Sequence, residues 1–364
     1  MGGTARASRR AMLMSLIGAA APGAEPGSPS VLPTERKRYA DPTTEFEVLR
    51  LTEPVYSSFL PPAHQRPIAK RNGFLVYASD RTGSLQALRM DLKTGSSTVL
   101  TSVAALVPHS LCLSPDERTL YFADGRWLCA VSIGSRRLRR LFQTGGEVTS
   151  LWAGEGGRLL MVESWGGVSR LRLAQVGGNR VATLVETPGS LADPMLRPKR
   201  PVALYRKDSA SLWLIQTDGK HNRRLETPEG RIGRAYFSPD GHSVLYLHAP
   251  PDASKLPSIR ELDIETGEDR QVAVTSRFVD FAPNFDASVF AGVSGSLAQP
   301  TILLLVRAVR RELTLCEHRA SDPTRVHAQF TPTSQRMLFQ SDRHGKPAIY
   351  MMNIERLVEK TETE

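Results

Sequence analysis

The chain has 364 residues, of which 47 are Lys or Arg and 37 are Asp or Glu, giving a formal charge of +10. Three cysteines exclude a disulfide framework and are expected as buried free thiols, Cys112 on an innermost strand and Cys129 on a third strand. The basic excess comes without aromatic stacking residues or a nucleic-acid module, so nucleic acid is set aside as a partner, although a basic shell favours acidic ligands.

Residues 1–24 read as a twin-arginine-like export signal. Ser8-Arg9-Arg10-Ala11-Met12-Leu13-Met14 precedes a small apolar stretch over 15–21, too short to span a bilayer, and a small-residue step ends at Ala24. The expected location is periplasmic or secreted. Without this leader, which holds Arg6, Arg9 and Arg10 and no acid, the charge falls to +7. Residues 25–37, which open Pro/Gly/Ser-rich, are expected as a flexible linker.

From residue 65 onward one phrase recurs. It reads Phe237-Ser238-Pro239-Asp240-Gly241, an alternating run (Val244, Leu245, Tyr246, Leu247), a polar turn, and a second run closing on Asp263-Ile264-Glu265-Thr266-Gly267. Copies fall at 74–101, 111–141, 151–185, 195–225, 236–273, 281–315 and 330–354. Pro115 to Pro239 covers three repeats of roughly 41 residues, close to the period of a four-stranded propeller blade. Period-two alternation bounded by Gly, Asp, Asn or Pro predicts short antiparallel strands, and no stretch reads as a long amphipathic helix. The fold expected is an all-β, seven-bladed β-propeller of four-stranded blades over 38–357, with a charged tail at 358–364.

The seventh copy stops at Ile354 and lacks a last strand. Residues 43–52 match the missing piece when compared with 93–101, so an N-terminal strand is expected to close the last blade. The basic groups Arg136, Arg137, Arg139, Arg140, Arg223, Arg224, Arg307, Arg310 and Arg311 fall on or beside fourth strands, the outer rim. The tryptophans are expected to pack between blades, with Trp152, at the start of an inner strand, the best exception.

First strands line a propeller's channel, and the residue three before each Phe-Ser-Pro-Asp-Gly register position falls at one mouth. The ring is Gln65, Ser110, Thr149, Asp193, Arg234, Asp280 and His327, all polar. Asp193, Arg234 and Asp280 come from consecutive copies and allow an ion-pair network. Asp280, Asp322 and His327 allow a divalent ion such as manganese, with Arg325 beside them to oppose it. A register slip of one would bring His64 and His109 to the mouth. The chain has no Gly-rich phosphate loop, paired-cysteine zinc motif or Gly-x-Ser-x-Gly elbow.

The opening Tyr39-Ala40-Asp41-Pro42-Thr43-Thr44 through Val48-Leu49-Arg50-Leu51-Thr52 and the closing Phe330-Thr331-Pro332 through Gln340-Ser341-Asp342-Arg343-His344-Gly345-Lys346-Pro347 resemble the oligogalacturonate lyase family. Ser114-Pro115-Asp116, Asp193-Pro194-Met195-Leu196-Arg197-Pro198, Leu212-Trp213-Leu214-Ile215 and Asn284-Phe285-Asp286 follow in the family's order. The likeness covers roughly 38–354, with blade three shortened. It implies a seven-bladed propeller that cleaves short galacturonides by β-elimination with manganese bound in the channel.

Carried over residue by residue, the resemblance sets His327 on a ligand histidine, with Arg325, Asp322 and Asp280 at other ligand positions. Arg234 falls at the family's base and Asp193 at a channel histidine. Gln65 matches, and Ser211 stands at a family arginine. The implied site is Arg234 as base, Gln65, Asp193 and Arg325 on substrate, and Asp280, Asp322 and His327 on metal. The other reading is a catalytically degenerate TolB-like propeller that binds an acidic oligosaccharide or a protein partner.

Overall fold

The computed structural model describes residues 1–2, 31–178 and 180–359. The expected export signal therefore lies, beyond Gly2, outside the described residues, as does the tail after residue 359.

The repeated turns are built by side chains. In blade 5 Asp240 Oδ1 accepts from Ser238 Oγ at 2.6 Å and from His242 N at 3.0 Å, and Ser243 N donates to Ser238 Oγ at 2.9 Å. Gly241 completes the turn at φ +77°, a conformation glycine adopts without steric cost. Blade 2 repeats the pattern with Ser114 and Asp116, and Glu117 takes the glycine's place at φ 64°. Blade 6, whose signature is absent from the sequence, forms the same turn from Asn284, Asp286 and Ala287.

Seven antiparallel sheets result. Their middle strands are buried on both faces, so alternate residues pack against the preceding and following blades. In blade 6, Phe290, Leu303 and Leu305 join Leu245 and Leu247 of blade 5, while Val289, Ala291 and Val293 join Met337 and Phe339 of blade 7. Seven such layers exist, one per neighbouring pair. The last sets Leu338, Ile349 and Met351 of blade 7 against Leu75, Tyr77 and Leu88 of blade 1, which closes the ring. This is the seven-bladed β-propeller expected.

Closure uses the N-terminal segment as predicted. Glu47–Arg50 pairs antiparallel with Ala348–Asn353 in the register Val48 to Met352. The fully buried Asp41 accepts from Thr43 N and from Glu317 N of blade 6, each at 3.1 Å, and so ties blade 7 to its neighbour. One feature differs from expectation. The linker read over 25–37 is structured from Val31: Val31–Leu32 adds a fifth strand to blade 1, and Lys37–Ala40 adds one to blade 7. These strands cover two exposed edges, which alternation within the repeats does not reveal. Blade three has strands of 8, 8 and 9 residues after its inner strand.

The three cysteines are free and buried. The arginines at 139 and 140 lie on the outer strand Leu138–Gln143, and Arg223–Arg224 forms an outer strand of its own. Among the described residues no helix is long and apolar enough to cross a membrane.

Candidate active site at the channel mouth

Inner strands carry bulges where the predicted ring falls. Register breaks occur between Val107 and Cys112, Val148 and Ser150, Ala192 and Met195, Ile232 and Ala235, and Phe278 and Asp280. A bulge leaves a residue unpaired and turns it out of the ladder. Thr149, Asp193 and Arg234 lie within these breaks. Asp193 has φ 49° and His327 φ 20°, left-handed values that a non-glycine residue holds only where its surroundings enforce them.

The cavity there has a volume of about 410 Å³, and its wall includes His64, His109, Thr149, Asp193, Arg234, Arg325 and His327. Arg234 lines it with a largely buried side chain. Nε donates to Asp280 Oδ1 at 2.9 Å, Nη1 to Asp193 Oδ1 at 3.2 Å, and Nη2 lies 3.2 Å from His327 Nδ1. Arg206 closes the far side of Asp193 through Nε and Nη2, at 3.0 and 2.8 Å. His327 Nδ1 lies 2.9 Å from Asp280 Oδ2. Asp193 and Asp280 are 9% and 4% exposed.

These surroundings decide the charges. Burial pushes both carboxyls up, but Arg234 outweighs it, with Arg206 for Asp193 and His327 for Asp280, so both lie below the ordinary carboxylate range. Burial pushes the Arg234 guanidinium down, yet Asp280 and Asp193 raise it above its ordinary value. His64 is held at about 4, because burial outweighs the opposing pull of Asp193. It is neutral at pH 7, so its 3.6 Å approach to Asp193 is no ion pair there. Its Nε2 meets Ser150 Oγ at 3.2 Å, and its Nδ1 is buried without a hydrogen-bond partner.

The predicted site residues thus separate. Asp193, Arg234, Asp280 and His327 converge, as the ion-pair reading requires. Gln65 does not reach the cavity: its Nε2 donates to Leu151 O and its Oε1 accepts from Cys112 Sγ at 2.8 Å. Ser110 is likewise spent, on Val107 O and Ala123 N. The residues just before them, His64 and His109, take the wall positions, because the first strands of blades 1 and 2 are the most irregular. Asp322 leaves the proposed metal set, since it caps its own turn at Thr324 N (3.0 Å) and pairs with Arg325 Nε (3.3 Å). Arg234 as general base is also corrected: a guanidinium held between two carboxylates has no free lone pair. Arg206, on the second strand Val202–Lys207, was missed, since ring counting considers first strands only. Trp152 packs in the interior and stacks on His64 with ring centroids 6.4 Å apart.

Fold and mouth together define a seven-bladed propeller with a charged, imidazole-lined cavity at one end of its channel. No family model matches the chain. It is, however, 24% identical over 383 aligned positions to an oligogalacturonide lyase of Pectobacterium atrosepticum, covering 89% of this chain and 97% of that protein. An oligogalacturonate lyase of Dickeya dadantii is 22% identical, over 87% and 95%. A solved oligogalacturonate lyase in complex with manganese superposes with a TM-score of 0.82 at 22% identity, over 89% and 97%. The resemblance to oligogalacturonate lyases read from the two ends of the sequence is thereby borne out along nearly the whole chain.

The donor set can be tested against the manganese of that solved relative. Among the described residues no three His, Cys, Asp or Glu side chains group around a point where an ion could sit. Asp280 and His327 are the only two of the predicted ligands in contact, and the Arg234 guanidinium touches both. The residues present do not fit a divalent ion.

Proposed function

We propose that this chain is an oligogalacturonate lyase-like protein that acts on short galacturonides by β-elimination in the cavity at the channel mouth. The observation that carries this reading is the dyad of His327 and Asp280 in a cavity that also presents Arg234 and Arg325, in a chain similar end to end to named galacturonide lyases. The elimination needs positive charge at the uronate carboxylate, which acidifies the C5 proton, and a base to take that proton while O4 leaves. Asp280 accepts the Nδ1 proton of His327, which leaves Nε2 with the lone pair of a base. Arg234 holds Asp280 in place. Arg325, whose side chain is 84% exposed at the rim, meets Asp322 only through Nε and presents its two Nη groups to the carboxylate.

Digalacturonate incubated with the purified protein tests this reading, because elimination creates a conjugated double bond with a new ultraviolet absorbance. His327→Ala removes the base and abolishes the signal. Binding of digalacturonate without any signal leaves a binding propeller, a second reading favoured by the mutual engagement of Asp193, Arg234 and Asp280. The proposed location is periplasmic or secreted, on the strength of Ser8-Arg9-Arg10 and the apolar stretch that follows.

A further inference from the structure

We infer that Arg234 is the resident cation of the channel mouth, so that this chain takes an acidic sugar without a divalent ion. The inference rests on the proposed galacturonide ligand for its second half only. The carboxylates of Asp193 and Asp280 are the acceptors that converge on the cavity, and the Arg234 guanidinium lies against both and against the His327 ring, whose Nδ1 donates to Asp280 Oδ2. Both Asp280 oxygens are occupied: Oδ1 accepts from Arg234 Nε and from Phe281 N at 3.0 Å, and Oδ2 from His327. An ion bound to Asp280 and His327 would sit against a guanidinium whose positive charge is fixed. The third donor a divalent ion would require, Asp322, is committed to Thr324 and Arg325.

The same arginine can serve the ligand. A guanidinium has five N–H donors, and at most three of those on Arg234 are engaged, so two remain for a carboxylate oxygen entering the cavity it lines. Arg325 at the rim supplies a second fork. Hydrogen-bond donors on the protein then neutralise the uronate charge where a metal would act as Lewis acid.

The test uses manganese electron paramagnetic resonance and calorimetry with digalacturonate on the full chain. The wild-type protein is expected to leave the free-manganese signal undiminished, and digalacturonate to bind with affinities equal within about twofold in EDTA and in manganese. Arg234→Ala removes the cation from Asp280, His327 and Asp193 Oδ1, with Asp193 Oδ2 still held by Arg206, and is expected to take up manganese; Arg234→Lys keeps the cation and is not. Stoichiometric manganese uptake by the wild-type protein, or digalacturonate binding only when manganese is added, overturns the inference. If Arg234→Ala does not fold, the two wild-type measurements decide. If digalacturonate binds under neither condition, the proposed function fails, and the resonance titration alone judges the resident cation.

Discussion

Acidification should destabilise this propeller through two buried histidines, His64 and His318, before its carboxylates matter, and the share of His64 can be isolated. His64 is held at about 4 against an ordinary 6.5, by burial that the nearby Asp193 only partly offsets. Between those values the unfolded chain binds a proton that the folded chain refuses, so stability is full above 6.5 and is lost as pH falls toward 4. Each pH unit across that window costs about 1.4 kcal/mol, for a loss of roughly 3 kcal/mol. For an ordered domain of this size that is roughly 4–5 °C in Tm. His64→Gln removes the titrating group, so its stability profile should be flatter than the wild type's by this amount. Denaturant melts of both proteins across the window provide the measurement. Parallel profiles would show that His64 is protonated in the folded state or that its cavity opens to water, and the charge assignment of the mouth would fall with it.

Three further outcomes follow from the architecture. Val48→Asp puts a charge at a fully buried position of the closing strand and should cost roughly 3–5 kcal/mol in a urea melt, while cutting only the terminal segment from the ring would give a smaller, non-cooperative loss. Gly292→Ala drives a Cβ to 2.0 Å from the Phe278 ring and should destabilise by roughly 1–3 kcal/mol, with Phe278→Leu restoring part of the loss; an unchanged Tm for Gly292→Ala would refute that packing. Replacing Arg9 and Arg10 with lysines should retain the precursor in the cytoplasm, as fractionation of expressing cells would reveal, and unimpaired export would remove the twin-arginine reading.

The period of the repeat, the strand alternation and the truncated last copy determined the propeller, the number of blades and the strand that closes it, because each is a local pattern that only one circular arrangement satisfies. Asp193, Arg234, Asp280 and His327 were also legible, since a fixed offset from a repeated turn puts equivalent residues at equivalent places. Gln65 and Ser110 failed by the same logic: bulges and broken pairing in the first strands of blades 1 and 2 shift the register, and a shift of one exchanges a buried amide for the imidazole of His64. Only the tertiary structure decided what the mouth can do. Whether two carboxylates and a histidine gather around an ion or around a guanidinium depends on distances between blades, and the sequence lists the same residues in either case. Arg206 reaches Asp193 from a second strand and Asp322 turns away to cap its own loop, and neither movement leaves a mark in the spacing.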